Sequence, residues 1–454
     1  MTDVIVRQSG LMSVQKRLLH LLTVIFFSVV LSACGGSSSG SEPTTPTPTP
    51  PPVTPPVNPT VTAINTLWPE TVSAYMQEEL WASYNMYDAG LALMLPLEYA
   101  FVIEPNEQHQ QDFHDFYARY LPEFDASLTT NNLSRFQFLY VMVRYLAFTQ
   151  ATGWDQEQQS LYDKLLSHFD YMWFEEETLQ AGNQGTRSEI LQQKLNNIGQ
   201  SSPKYLRATI DLEFYGFAIA AEIAAMQRQA GQDVSITVQH MLDLALATFQ
   251  QEVTNTDAGW LYQPGQWDDY VDYIYAGHDT LTTDLQPAPI AGIATDSSHS
   301  HRMPLWLLSL ANGFVVGSEE RTYFESLSAG FESQFMEVVY LAPSADFAAP
   351  RMTNYMDGNN GIYRYRFHDD PNLKLGYDAY NLSGTLLVGF YPYMKNAQLR
   401  DAYVQLSFPL ADDILNLYLG LGGTPDTSRA FIITDYYLLG QAEIYALIAS
   451  LMAE

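Results

Sequence analysis

The sequence predicts an all-α fold for the main part of the chain, and three observations support this prediction. Apolar residues recur at helical spacing along most of residues 61–454. Alternating polar and apolar runs that are long enough for a sheet are scarce. Short connections, such as residues 152–155 and 230–233, are typical of antiparallel helix pairs.

The N-terminal residues 1–33 predict a lipoprotein signal peptide. A lysine and an arginine precede an apolar run over residues 18–30, which is too short for a membrane span. The run ends in Leu-Ser-Ala-Cys at 31–34, which resembles the lipobox of bacterial lipoproteins. The resemblance implies cleavage before Cys34, lipidation of its sulfur and anchoring in the outer membrane, facing the periplasm or the cell exterior. A buried N-terminal helix is the alternative.

Residues 34–60 predict a linker that starts at the lipidated cysteine. Glycine and serine dominate its first part, and proline and threonine dominate the second. Such a composition favours extended, solvated chain over a packed core. One folded unit is therefore expected over residues 61–454.

Helical patterns divide this unit into about a dozen segments. The predicted helices lie near 69–82, 85–101, 111–121, 133–152, 156–172, 186–196, 205–230, 234–253, 300–314, 319–340, 379–395, 398–418 and 429–452. The segment 208–226 is rich in alanine and apolar on several faces, which is typical of a helix buried among other helices.

This layout resembles the (α/α) toroid shared by many sugar-active enzymes, including polysaccharide lyases and six-hairpin glycosidases. The resemblance covers most of residues 69–452 and lies in the architecture. It implies a ring of helical hairpins that acts on a poly- or oligosaccharide. An open α-superhelix that binds proteins is the alternative.

Two long segments, residues 254–299 and 341–378, contain no predicted helix and concentrate aromatic residues and glycines. Loops this long inside a compact domain are usually functional, so we expect the two segments to form a ligand cleft. Aromatic rings stack on the C–H faces of sugars, while Asn, Asp and Arg bind their hydroxyl groups. The candidate binding residues in or beside these segments are Trp260, Tyr262, Trp267, Asp268, Asp269, His301, Asn354, Asn359, Arg364, Tyr377 and Tyr380.

The polar cluster from Asp296 to Pro304 immediately precedes a predicted helix. Side chains at a helix N-terminus can project toward a ligand, and the helix dipole favours an anion there. A Ser-His step that follows an acid and precedes a helix resembles a feature of toroidal uronate lyases. The catalytic candidates are Asp296, His299, Arg302 and, from the second segment, Tyr363. A helix cap at Asp296 and a structural role for His299 are the alternatives.

Metal binding is a competing use of the same residues. The spacing of Asp296, His299 and His301 offers three ligands to zinc, although the pattern is loose. The oxygen-rich residues 357–361 offer ligands to calcium, but a turn explains them better. We therefore predict no metal and no other cofactor.

The sequence lacks the features that are typical of several other classes of function. The formal charge of −30 is opposite to that of a non-specific nucleic-acid binder. The one Gly-x-Ser-x-Gly match, residues 36–40, lies in the Gly/Ser-rich linker and not between a strand and a helix, and the sequence has no P-loop or Gly-x-Gly-x-x-Gly fingerprint. The single cysteine is assigned to the lipid, which removes cysteine catalysis.

The preferred prediction is a polysaccharide lyase that performs β-elimination at a uronic acid. His299 or Tyr363 is expected to act as the base or acid, and Arg302 or Arg364 to neutralise the carboxylate. Residues 351–366 hold three arginines and one aspartate, a local reversal of the chain's charge. Two alternatives stay open. One is a glycoside hydrolase that pairs Asp268 or Asp269 with Asp296 or Asp357, and the other is a lipoprotein that only binds glycan or protein.

Overall fold

The computed structural model describes residues 58–82, 85–128, 131–180, 182–196, 203–366, 375–418 and 440–452. These residues belong to one compact unit that spans positions 57–454. The predicted signal peptide, Cys34 and most of the predicted linker lie outside the described residues. So does the first part of the last predicted helix.

Helices dominate this unit. Their bounds are α1 Pro59–Leu67, α2 Ala74–Met76, α3 Asn85–Ala92, α4 Met94–Glu98, α5 Glu107–Tyr120, α6 Phe124–Ser127, α7 Asn132–Gln150, α8 Gln156–Asp170, α9 Arg187–Asn196, α10 Asp211–Gln229, α11 Ile236–Glu252, α12 Ser297–Ser300, α13 Met303–Gly313, α14 Glu319–Gln334, α15 Ala397–Gln405, α16 Asp412–Tyr418 and α17 Gln441–Ala449. Shorter π-helical turns cover Pro69–Ser73, Tyr99–Ile103, Tyr171–Glu175 and Phe335–Val339. Turns of 3₁₀ helix cover Leu121–Glu123, Lys204–Arg207, Asn381–Leu387 and Tyr391–Met394.

Among the described residues, the strands form only three two-stranded antiparallel ribbons. They pair β1 Glu177–Gln180 with β2 Asn183–Thr186, β3 Val253–Asn255 with β4 Trp260–Tyr262, and β5 Tyr340–Leu341 with β6 Arg351–Met352. No large sheet occurs in this part of the chain, so the prediction of an all-α fold is confirmed.

The element boundaries differ from the prediction in several places. The predicted helix at 398–418 is divided into α15 and α16, with Pro409 between them, and the predicted helix at 205–230 begins only at Asp211. The first helix begins at Pro59, inside the predicted linker, because Asn58 caps it through its side chain. The ribbon at 177–186 has no counterpart in the prediction. The predicted helix at 379–395 is instead two separate 3₁₀ turns. Gly384, Gly389 and Pro392 lie within this stretch and disfavour a continuous α-helix.

Side-chain caps fix the start of the helices that matter most for the site. The Asn131 side chain accepts hydrogen bonds from two backbone N–H groups at the start of α7. The Asp296 carboxylate caps α12 by accepting from the backbone N–H of His299. Pro304 occupies the first turn of α13, where its missing N–H has no helical partner to lose. Local sequence therefore determines where these helices begin.

The long helices pack against one another in a consecutive series. Helix α7 packs against α3 and α10, and α13 packs against α10 and α14. Helix α17 near the C-terminus packs against α1 and α4 near the N-terminal end of the unit. Buried ion pairs reinforce this packing, because Arg144 of α7 contacts Glu98 of α4 and Glu222 of α10 at 2.7 and 2.8 Å. This order of contacts is compatible with hairpins arranged in a ring, and closure into a toroid stays a prediction.

Within the described part of the chain, no single helix combines the length and the hydropathy of a membrane span. One bent pair, Asn85–Ala92 with Met94–Ile103, passes that test on length and composition alone. Most of its residues are buried inside the helical unit.

Candidate active site

A cleft of about 360 Å³ lies where the N-terminal ends of several helices meet the two long segments. The starts of α7, α10, α12 and α13 form one side, and residues from 262–273 and 363–364 form the other. Helix N-termini carry unpaired N–H groups and a partial positive charge, so they suit polar or anionic ligand groups.

Backbone hydrogen bonds hold the two helix-free segments together beside this cleft. The Ser297 N–H donates to the Asn354 carbonyl at 2.9 Å, and the Arg364 N–H donates to the Asp272 carbonyl at 2.9 Å. Gly361 approaches the Ala276 carbonyl so closely that a Cβ atom there would lie 1.7 Å from its oxygen. Only glycine fits such a contact. For the described residues, the prediction that these two segments lie together is confirmed.

An aspartate–histidine pair adjoins the cleft. The His299 Nδ1 lies 2.9 and 2.8 Å from the two carboxylate oxygens of Asp296. The Asp296 side chain is 1% exposed, whereas the His299 side chain is 37% exposed and lines the cleft. The carboxylate therefore orients the imidazole and leaves the ring edge that carries Nε2 toward the cleft.

The surroundings of Asp296 stabilise its negative charge. Tyr273 donates its hydroxyl hydrogen to Asp296 Oδ2 at 2.6 Å, and Ser298 donates to Oδ1 at 2.5 Å. Burial by itself raises the pKa of Asp296, but the charge of His299 and the hydrogen bonds from its neighbours hold that pKa well below its ordinary value. Asp296 is thus an anion that supports His299.

Tyr363 and Arg364 line the cleft beside this pair. The Tyr363 hydroxyl lies 3.5 Å from His299 Nδ1. Burial, followed by the charge of Asp296, raises the pKa of Tyr363 well above its ordinary value, so its hydroxyl is protonated at neutral pH. The Arg364 guanidinium donates to Asp272 through Nε at 2.9 Å and lies 5.2 Å from the Tyr363 ring. Arg364 has a positive φ of 53°, which is costly for a residue other than glycine.

Two other members of the predicted cluster lie behind the cleft. The Arg302 side chain is 1% exposed and forms an ion pair with Asp211 at 3.0 Å. Its guanidinium also donates to the hydroxyls of Tyr215 and Tyr87, so it links α3, α10 and α13. His301 is buried, and its Nδ1 accepts a hydrogen bond from the backbone N–H of Phe390. Neither side chain lines the cleft.

The predicted aromatic binding residues divide into two groups. Trp267 and Tyr262 line the cleft. Trp260 is buried elsewhere in the core, and its indole N–H donates to the Leu327 carbonyl at 2.8 Å. Tyr377 packs against Tyr363 outside the cleft lining, at a ring distance of 6.0 Å. Tyr380 has a left-handed backbone, and its ring lies beneath the Arg351 guanidinium rather than in the cleft.

The predicted polar binding residues mostly bond to the protein itself. Asp268 forms an ion pair with Lys204 at 2.8 Å, and Asp269 accepts from two backbone N–H groups of the neighbouring 3₁₀ turn. Asn354 is fully buried and bonds to three backbone groups. Asn359 accepts from the backbone N–H of Gly361. These four side chains shape the segments around the cleft and do not line it.

Sequence reasoning missed several residues that do line the cleft. Asp211 and Asp272 contribute its carboxylates, and Trp306 contributes a buried indole. Tyr273 contributes the hydroxyl beneath Asp296. Only Asp211 had a local signal, because acidic residues are favoured in the first turn of an α-helix. The other three carry no distinguishing pattern, since their position depends on contacts made in the folded chain.

The arrangement provides a base, an acid and a fixed positive charge around one cleft. His299 can accept a proton, Tyr363 can donate one, and Arg364 can stabilise a developing oxyanion. Within the described ranges, no group of three or more His, Cys, Asp or Glu side chains is placed to hold a metal ion. Compared with known proteins, the chain matches no protein-family model, no curated protein and no solved structure.

Proposed function

We propose that this protein is a carbohydrate-active enzyme that cleaves a uronic-acid-containing poly- or oligosaccharide by β-elimination. The observation that carries the proposal is the Asp296–His299 pair, with its carboxylate buried and its imidazole facing the cleft. Oriented imidazoles are the commonest general bases in enzymes, and a buried carboxylate favours the tautomer that exposes a basic Nε2.

The reaction needs three contributions from the protein. His299 Nε2 accepts the proton from the carbon that carries the carboxyl group. The electron pair of that C–H bond becomes the new carbon–carbon double bond, and the bond from the adjacent carbon to the leaving oxygen breaks. Tyr363, whose raised pKa keeps its hydroxyl protonated, supplies a proton to that oxygen. Arg364 binds the carboxyl oxygen on which negative charge develops.

The positive charge for this role comes from one arginine of the second segment. Arg364 lines the cleft, whereas Arg351 lies against the Tyr380 ring. Arg366 is 59% exposed and contacts the carbonyl of Thr283. Among the described residues, Arg364 is therefore the one arginine of this group that lines the cleft.

The hydrolase alternative has less support. Asp268, Asp269 and Asp357 are bonded to a lysine or to backbone N–H groups, and none of them lines the cleft. Asp296 is covered by His299. A protein that only binds glycan or protein through the same cleft stays an alternative, and turnover separates it from the enzyme.

The test is a panel of soluble polyuronates scored for ultraviolet absorbance of an unsaturated product and for new reducing ends. We expect both signals to rise together on at least one substrate. His299→Ala should lower turnover at least ~100-fold while the melting temperature changes little. His240→Ala, which removes an exposed histidine of α11, is the matched control and should be fully active. New reducing ends without absorbance would favour a hydrolase, and binding without either signal would favour a binder.

The lipobox-like residues 31–34 support a further part of the proposal, an enzyme anchored to the outer membrane through lipid on Cys34. The linker that follows would hold the helical unit away from the membrane surface. Cys34→Ala should release the protein from the membrane fraction or block its processing. A Cys34→Ala variant that is processed normally and stays membrane-bound would contradict the anchor.

A further inference from the structure

The side of the cleft next to His299 is unusually apolar for a site that binds sugar hydroxyls. Leu212 of α10 and Met303 of α13 line it and are 7% and 5% exposed. Phe214 and Trp306 line it as well and stack on each other at 4.9 Å. The aliphatic side chains of Leu212 and Met303 offer no hydrogen bond to a hydroxyl group, so burying a hydroxyl against them is costly. We call these four residues the apolar compartment.

The charges around the cleft are already paired inside the protein. Arg364 is held by Asp272 at 2.9 Å, and Arg302, behind the cleft, is held by Asp211 at 3.0 Å. Asp296 supports His299. Three carboxylates thus accompany two guanidinium groups, and the set carries one net negative charge when His299 is neutral. In the part of the chain that the structure describes, a free carboxylate entering this cleft would therefore meet no excess of positive charge.

From these two observations we infer that the substrate is an esterified uronic acid, with its carboxyl group capped by a small alkyl group. The alkyl group lies in the apolar compartment beside Leu212 and Met303, and the ester carbonyl accepts a hydrogen bond from Arg364. This inference rests on the proposed β-elimination and names its substrate class.

The chemistry of proton removal also favours a substrate whose carboxyl group is uncharged. Removing the neighbouring proton from an ester yields an enolate with one negative charge, whereas a free carboxylate would yield a dianion. Arg364 is the one arginine that lines the cleft among the described residues, and it matches the smaller charge. The ester bond itself stays intact, because the bond that breaks joins the adjacent carbon to the leaving oxygen.

The test compares matched pairs of oligosaccharides of galacturonate, glucuronate and mannuronate, each as the methyl ester and as the saponified free acid. The full chain should turn over one of the esters with a kcat/KM at least ~10-fold above that of the same oligosaccharide as free acid. An equal or higher kcat/KM on the free acid would overturn the inference while leaving β-elimination intact.

Binding to His299→Ala, measured by calorimetry, separates the two proposals. We expect at least ~10-fold tighter binding of the ester than of its free acid, even if neither is turned over. An ester preference without turnover in the unaltered chain would contradict β-elimination but support ester recognition. No preference in any pair, or no binding of any pair, would overturn the inference.

Two variants sharpen the test. Asp272→Asn removes the carboxylate that holds Arg364 and should shift the preference toward the free acid by ~10-fold. Asp279→Asn, at an exposed position of the same segment, is its control and should leave the preference unchanged.

Met303→Ala enlarges the apolar compartment and should raise the affinity for a propyl ester relative to the methyl ester. Unchanged preferences in both Asp272→Asn and Met303→Ala would overturn the inference.

Discussion

Residues 296–302 and 354–361 are both rich in polar side chains, yet only the first segment places any of them in the lining of the cleft. In the first segment, Asp296 caps a helix and His299 faces the cleft. In the second, the side chains of Asn354, Asn359 and Asn360 bond to backbone groups of their own or neighbouring turns. Several side chains of the first segment also bond to backbone groups, as Ser297, Ser300 and His301 do, but His299 keeps its ring toward the cleft. An irregular segment needs side chains to satisfy its backbone.

The role of a polar residue in the first segment also depends on the direction in which its side chain points. His299 lies on the side that meets the cleft, whereas Arg302 points into the core and ties three helices together. The comparison therefore divides polar residues into those that can act on a ligand and those that hold the cleft in place. The variants below test this division, in order of expected effect on stability.

The largest effect on stability is expected for Arg302→Met. Removing this guanidinium leaves Asp211 without its partner at the start of α10, and such a loss typically costs about 3–5 kcal/mol of unfolding free energy. Chemical denaturation measures the change. Arg366→Met, at an arginine that is 59% exposed, is the control and should change stability by less than about 0.5 kcal/mol. A stable Arg302→Met protein that has lost only activity would instead place Arg302 among the residues that act on substrate.

A smaller loss is expected for Asn354→Ala. This side chain is fully buried, and its removal leaves the carbonyls of Gly361 and Asp378 without their donor. We expect a loss of about 2–4 kcal/mol in unfolding free energy. Asn359→Ala removes a single acceptor in a turn and should cost only about 0.5–1.5 kcal/mol. Equal stability of the two variants would contradict the structural role assigned to Asn354.

The third expectation concerns pH and applies to Asp296. Its pKa in the folded protein is held below the ordinary value of 3.8. A depressed carboxyl pKa contributes stability that is fully present above the unfolded pKa and is lost as the pH falls toward the folded pKa. The stability difference between the unaltered chain and Asp296→Asn should therefore shrink as the pH falls below about pH 4. Thermal unfolding across pH 3–7 measures it, and a pH-independent difference would show that Asp296 is not held as an anion.

The sequence predicted the helices well because apolar spacing and caps act over a few residues. Residues 133–152 were expected to form a helix, and α7 covers Asn132–Gln150. The cap at Asp296, which was the alternative to a catalytic role for this residue, is present, and His299, a predicted catalytic candidate, lines the cleft. The 3₁₀ turns at 381–394 were missed, although Gly384, Gly389 and Pro392 in this stretch are local signals against a continuous α-helix.

What the sequence determined by itself was therefore local: the all-α class, the helix starts and the two segments that pack beside the cleft. Only the tertiary structure decided which charges meet. Arg364 pairs with Asp272, 92 positions earlier in the chain, and Arg302 pairs with Asp211 at the start of a different helix. Local pattern carries no information about such partners, because the energy of an ion pair depends on distance and burial in the folded chain. The folded chain therefore separates Arg364, which lines the cleft, from Arg302, which supports it.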